Sequence, residues 1–232
     1  MMNVFSRLGN VFVSPTACFT SLRDKGKNWT DFVIPFLLLL AMLITFLIVT
    51  SDVMEKMQIE VIQNMTQLSD AQKEVALQNA NSPIANVFKY IGGVLQVIFG
   101  VLISGLFMWI VGNFIGGGEQ KFGTVLVAAL YVQMISIPES LIKMFLVLQK
   151  GTMMVHVGFG SLLSNPDNSS YAVQLINQLE FFAIWRIIVW VIAFKALYNY
   201  NTKKSTLLVV ITIVVGMAFM AAVATMQFGR MG

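Results

Sequence analysis

Charge is what this chain has least of. Of 232 residues, 15 are Lys or Arg and 11 are Asp or Glu, so charged residues make up 11%, where a soluble domain carries about 25%. So few charges cannot cover a 25.7 kDa globule that is 57% hydrophobic, with a mean hydropathy of +0.77. A soluble domain is excluded, and the chain must hide its apolar surface in lipid.

Cysteine and histidine are scarce too. The lone Cys18 rules out an intrachain disulfide. It sits in an amphipathic N-terminal stretch and reads either as a palmitoylation site or as an ordinary half-buried thiol. The lone His156 falls in a loop on the other side of the membrane from Cys18, so the two cannot pair. The chain has no HExxH, no paired cysteines, no cluster of metal ligands and no GxSxG serine. Gly116-Gly117-Gly118-Glu119-Gln120-Lys121 reads as a flexible turn and lacks a Walker pattern. These absences point away from a hydrolytic or redox enzyme: the sequence offers no catalytic residue, no cofactor site and no metal site.

The net charge of +4 and pI of 9.2 come from basic residues scattered around apolar runs. That is a topological signal rather than a nucleic-acid footprint. No secretory signal peptide is evident. The first long apolar run starts at Phe32 with no small-residue cleavage site after it, and reads as a retained anchor.

Five runs are long enough to cross a bilayer as helices, which takes about 20 residues: 32–50, 90–115, 124–148, 181–198 and 207–228. Only Glu139, Lys143, Arg186 and Lys195 among the charged residues lie inside them, because charge in hydrocarbon is expensive. Backbone groups in lipid must bond within their own segment or in a closed barrel, and these runs are too continuous for barrel strands. The expected fold is all-α: a polytopic bundle of five transmembrane helices over 32–232, preceded by a cytoplasmic amphipathic segment over 1–31.

Orientation follows from Lys and Arg near the helix ends. Arg23, Lys25 and Lys27 lie just before the first span and Lys203-Lys204 just after the fourth. With Arg7 and Lys121 they mark the inner side, against Lys56, Lys73, Lys89, Lys150 and Arg230 outside. The reading is N-terminus in, C-terminus out, in a bacterial inner membrane. Lys195 is placed to snorkel at the inner end of its helix, and Trp185, Trp190, Tyr198 and Tyr200 fit interfacial or packing roles.

In the N-terminal segment Phe5, Leu8, Phe12, Phe19 and Leu22 recur at helical spacing, broken by Ser14-Pro15 and flanked by Arg7, Arg23, Lys25 and Lys27. Two readings stand. One is a helix in the headgroup plane, with Phe5, Arg7, Leu8, Phe12, Phe19, Arg23, Lys25 and Lys27 on lipid. The other is a cap packed on the bundle.

The polar stretch 51–82 predicts a short extramembrane helical hairpin between the first two spans. Met54, Met57, Val61, Met65 and Leu68 form one apolar stripe, read as a local core, a face on lipid or a partner surface. Ser69 with Gln72 predicts a capping box, and Ser82-Pro83 predicts the opening of the second transmembrane helix. Asn165-Pro166-Asp167-Asn168 is a turn signal. Asn168-Ser169-Ser170 matches the glycosylation acceptor pattern, which matters only in a eukaryotic lumen. Gly100-Ser104 and Gly112-Gly116 have the spacing of close helix approach, within the bundle or in a homo-oligomer. The N-terminal segment and the 51–89 loop are further candidate surfaces for protein partners.

The embedded ionisable residues are the sharpest local signal. Glu139 follows Pro138, and Lys143 stands at i,i+4 on the same face. At about 1.5 Å per residue, Glu139 lies about 13 Å and Arg186 about 8 Å from the same outer face. The expectation is a Glu139–Arg186 pair with Lys143 nearby, helped by the carbonyl that Pro138 leaves free. Gln96 and Gln133 are further lining candidates. The group reads either as an interhelical clamp or as a polar cavity or ion path.

Four features together resemble the bacterial branch of the Yip (Ypt-interacting protein) domain family. They are Phe5-Ser6-Arg7-Leu8 with Phe12-Val13-Ser14-Pro15-Thr16, Phe19 and Trp29; Leu68-Ser69-Asp70-Ala71-Gln72 with Asn81-Ser82-Pro83; Gly116-Gly117-Gly118-Glu119-Gln120-Lys121-Phe122 with Ala129-Leu130-Tyr131 and Ile137-Pro138; and the count of five helices. Leu130 intrudes between an alanine and a tyrosine that adjoin in the family. The resemblance implies an integral membrane protein that organises lipid or partners without catalysis; eukaryotic members engage Rab GTPases in the early secretory pathway and carry a long cytosolic arm not seen here. A small transporter or channel using Glu139, Arg186, Lys143 and Gln133 is the alternative.

Overall fold

The computed structural model describes residues 2–80, 82–163 and 170–228. The turn signal at 165–168, the acceptor Asn168, Asn81 of the Asn-Ser-Pro motif and Arg230 lie outside the described residues. Eleven α-helices occur among the described residues: α1 (Val4–Val13), α2 (Pro15–Lys25), α3 (Thr30–Val49), α4 (Ser51–Asn64), α5 (Asp70–Ala80), α6 (Pro83–Ile110), α7 (Phe122–Gln133), α8 (Ser136–Lys150), α9 (Tyr171–Gln178), α10 (Phe181–Tyr198) and α11 (Thr202–Phe228). Five candidate spans are long and apolar enough to cross a membrane: α3, α6 with its extension to Ile115, α7 joined to α8, α10 and α11. The near face carries the 116–121 turn and the start of α3. The far face carries α4, α5 and the segment after α8.

The α7–α8 span is the centre of the bundle. Its most apolar stretch is 56% buried, against 11% for α11, and α7 packs against α1, α2, α3, α6 and α10. One continuous helix is expected here, and the structure breaks it after Gln133. Pro138 has no N–H to give the carbonyl of Met134, and its ring crowds that carbonyl. Ile137 N bonds Met134 O at 3.0 Å instead, and Ile135 N bonds Val132 O at 3.2 Å, a tighter three-residue turn. Ser136 Oγ then donates to Gln133 O at 2.7 Å.

Two spans begin earlier than the apolar runs suggest. Ser82 Oγ caps α6 by accepting from Ala85 N at 3.1 Å, with Pro83 in the first turn. Asn201 Oδ1 accepts from Lys204 N at 2.8 Å at the start of α11. Each cap satisfies an N–H left open at a helix start, so the helix continues past its greasy part. The hairpin between the first two spans is α4 and α5. Ser69 and Gln72 form the reciprocal box, at 2.9 and 3.4 Å, and Lys73 Nζ ties α5 to Gln63 O of α4 at 2.8 Å. The residue α4 buries most is Ile62, whereas Val61 and Met65 of the methionine stripe are exposed.

The N-terminal segment is a helical hairpin turned at Ser14-Pro15, and it packs on the bundle. Helix α2 runs beside α10. Beside one end of the contact the ring of Phe12, from α1, meets Trp185 edge-on, with centroids 5.9 Å apart. At the other, Arg23 Nη1 donates to Ala196 O at 2.8 Å and also to the Asn199 side chain. Cys18, Phe19 and Leu22 of α2 are wholly buried in the seam between the hairpin and the bundle.

A polar cavity among the spans

The chemistry of the chain gathers at the far end of the bundle. Lys143 Nζ lies 2.9 Å from Glu139 Oε1 and 2.6 Å from Glu180 Oε2. Arg186 Nη1 donates to Glu139 Oε2. His156 Nδ1 stands 3.8 Å from Glu180 Oε1. The result is a row of alternating charge, Arg186–Glu139–Lys143–Glu180, with the histidine at its outer end. Charges this close in apolar surroundings hold one another in place, since isolated they would face a large desolvation cost.

Local structure sets each position. Glu139 and Lys143 are one turn apart on α8, so the break at Met134–Ile135 fixes where both project. Arg186 sits on α10. Glu180 is placed by an antiparallel bridge with Gly158, made of Phe159 N to Leu179 O at 3.2 Å and Phe181 N to Val157 O at 3.0 Å. A β-carbon on Gly158 would strike the Glu180 backbone, so the close approach needs glycine. Glu180 also stands at the N-cap position of α10, its side chain turned to Lys143 rather than to the helix N–H groups, where the helix dipole favours a carboxylate.

These groups border a cavity of about 590 Å³, within the 300–1,000 Å³ range of small-molecule sites. Gln133, Glu139 and Lys143 line it from α7 and α8, and Arg186, Ile187 and Trp190 from α10. Gln174, Asn177 and Gln178 of α9 and His156 close its outer side; Ser104 and Met108 of α6 and Ile213 and Met217 of α11 form the remaining wall. A second cavity of about 570 Å³ lies beyond, sharing Val155, His156, Gln174 and Asn177 and reaching Lys150 and Ser161. Neither is lined by the 116–121 turn, Tyr198 or Tyr200. Both belong to the far half.

The near half is closed by stitching rather than left loose. The 116–121 turn, expected to be flexible, is held by Gln120. Its carbonyl accepts from Trp109 Nε1 and Asn113 Nδ2, both at 2.8 Å. Its side chain donates to Leu197 O at 2.8 Å. A π-turn over Val111–Ile115 frees carbonyls there: Tyr200 OH donates to Gly112 O at 2.7 Å and Lys204 Nζ to Gly116 O at 2.6 Å. Gly112 lies where a side chain would collide with the Tyr198 ring, so the Gly112-Gly116 pair serves packing within the bundle. Burial raises the Tyr200 phenol above its usual range. Gly100, by contrast, has open space around it.

A buried knot fastens the N-terminal hairpin. Arg7 is 3% and Asp31 2% exposed, and their charged atoms lie 2.9 Å apart. Arg7 also donates to Ser21 O at 3.0 Å, to Gly26 O at 2.8 Å and to Ser21 Oγ. Asp31 accepts from Asn28 N at 2.8 Å and from the Tyr131 hydroxyl.

Of the eight residues assigned to the lipid surface, Phe5 and Lys25 are exposed, Leu8, Phe12, Arg23 and Lys27 are half-buried, and Arg7 and Phe19 are buried. Arg7 and Phe19 are therefore corrected: the amphipathic face that suggested lipid meets α10 and α7 instead. Cys18 is inside the same seam, its thiol pushed up to about 12 by burial, so it is neither a half-buried thiol nor open to acylation in this state. Gln96 is exposed on α6, away from the cavity; Gln133 lines it. Glu180 and Asp31 went unassigned in the sequence. The available signal was the same for both, a carboxylate set at the N-terminal edge of a long apolar run.

Comparison with curated proteins and with solved structures gives no match. The family model described as the Yip1 domain matches residues 9–223, from within α1 to within α11. The chain belongs to the Yip1 domain family of membrane proteins.

Proposed function

We propose that this chain is a non-enzymatic membrane-organising protein of the bacterial inner membrane, and that its working part is the polar cavity of the far half. The carrying observation is the row Arg186–Glu139–Lys143–Glu180 bordering about 590 Å³ of space at the far end of the bundle. A clamp alone needs the ion pairs but no space beside them. Residues 1–31 serve as an anchoring segment for the five-helix unit over 32–232. Their exposed apolar edge, with Phe5, Val13 and Trp29, offers lipid or a partner a surface, and the α4–α5 hairpin offers another. The near face, with Arg23, Lys25, Lys27, Lys121, Lys203 and Lys204, is cytoplasmic.

A second reading, a small transporter, draws on the reach of the cavity to Glu139. What weighs against an open channel is the stitched near half, which contributes no residue to either cavity.

The test is purification in mild detergent with mass spectrometry of everything that copurifies, paired with ion and solute flux in proteoliposomes. The proposal expects copurifying lipid or protein and no flux above empty liposomes. Flux that Glu139→Gln abolishes, with nothing copurifying, replaces it by the transporter reading.

A further inference from the structure

The two ends of the cavity differ in what they offer a ligand. Arg186 commits Nη1 to Glu139; among the described residues its other N–H groups make no hydrogen bond, and Arg186 lines the cavity. That end presents donors on a cation. At the other end Lys143 occupies Glu180 Oε2 at 2.6 Å. Among the described residues Oε1 has only His156, at 3.8 Å, beyond hydrogen-bond reach, so that end presents a carboxylate acceptor. Among the described residues Trp190 is the single Phe, Tyr or Trp ring on the lining, which is no cage for a quaternary ammonium. An N–H-bearing ammonium suits a carboxylate better, through charge-assisted hydrogen bonds.

The side wall is of another kind. Met108 of α6 and Ile213 and Met217 of α11 face the cavity there. The ties Tyr200–Gly112 and Lys204–Gly116 hold the α6 and α11 ends together at the near face. Among the described residues no hydrogen bond joins the two helices above them. A wall that is apolar but for Ser104, between two lipid-facing helices, suits a molecule that keeps its chains in the bilayer.

Building on the cavity reading, we infer that the site takes a phosphoethanolamine zwitterion, its phosphate on Arg186 and its primary ammonium on Glu180, and that a far-leaflet lipid supplies it through the α6–α11 wall. The same headgroup chemistry exists in free glycerophosphoethanolamine, so the experiment separates the two sources.

The intact protein is placed in nanodiscs with equal phosphatidylethanolamine, phosphatidylcholine and phosphatidylglycerol, then stripped with detergent. Retained lipid is counted by native mass spectrometry. The expected result is at least tenfold retention of phosphatidylethanolamine over the other two, at least fivefold lower in Arg186→Gln and in Glu180→Gln. Ile213→Trp fills the side wall with every charge in place and is expected to lose the lipid as well, which covers the case in which a charge variant does not fold. Equal retention of phosphatidylcholine overturns the ammonium contact. Preference for phosphatidylglycerol overturns the zwitterion while leaving the cavity reading intact. Binding of soluble glycerophosphoethanolamine with no lipid retained overturns the lipid source. No retention of any lipid and no binding of the soluble ester overturns this inference and the cavity reading together.

Discussion

Replacing Asp31 by Ala removes the one anion facing Arg7 in the N-terminal knot. The guanidinium keeps its bonds to Ser21 and Gly26 but stays 3% exposed with no counter-charge. The same change strands the hydroxyl of the wholly buried Tyr131, whereas the N–H of the exposed Asn28 turns to water. Removing one partner of a buried ion pair costs about 3–5 kcal/mol, and each stranded polar group about 1–3 kcal/mol where water cannot reach it. A loss of about 4 kcal/mol or more is expected. The assay is reversible unfolding in mixed micelles by SDS titration, followed by tryptophan fluorescence. Arg7→Met together with Asp31→Leu and Tyr131→Phe removes both charges and the hydroxyl at similar total volume and should recover most of the loss. The coupling between Arg7 and Asp31 in a double-mutant cycle should exceed about 1 kcal/mol, at the level seen for residues in one network. A single-site loss under about 1 kcal/mol, or no coupling, would refute the claim that this hairpin is locked to the bundle by charge.

Other consequences are quicker to check. Cys18, held near 12 by burial, should resist maleimide at pH 8 in the folded protein and react at once after unfolding; equal rates would contradict the buried seam. The folded thiol keeps its proton above the pH at which an unfolded cysteine, near 8.5, begins to lose it. Stability should therefore fall as pH rises from about 9 toward 12, and be insensitive to this group below that window. Gly158→Ala should displace Glu180 through a backbone clash, cutting stability by about 1–3 kcal/mol in the same SDS titration; an unaltered midpoint would show that the bridge is not rigid. Reporter fusions after Lys121 and after Lys73 should lie on opposite sides of the membrane, Lys121 cytoplasmic, and the reverse result would invert the orientation.

The five spans were readable because hydrocarbon leaves no option but continuous apolar helix. The hairpin of α4 and α5 was readable because its caps are local. The Glu139–Arg186–Lys143 group was readable because a bilayer puts both ends of every span at known depth, so residue counting becomes a distance. What escaped depended on contacts between distant parts of the chain. Nothing near Arg7 in sequence announces Asp31 and Tyr131, and an amphipathic face turned to protein looks the same as one turned to lipid. The glycine-rich turn read as flexible because its holder, Gln120, bonds Leu197, 77 residues away. The break after Gln133 was half visible in Pro138, whose removal of one helical bond is local, while the choice to break rather than bend is set by packing around α7.

Accessibility of the cavity wall from one side only is the feature on which the functional account turns. Ser104 lines the cavity from α6, so Ser104→Cys in a Cys18→Ala background provides a probe, with Lys73→Cys and Lys203→Cys as markers of the far and near faces. A small membrane-impermeant thiol reagent should modify position 104 together with 73 and independently of 203. A thiol at 104 that reacts after solubilisation but from neither face in the membrane, or that reacts along with 203, would contradict the account.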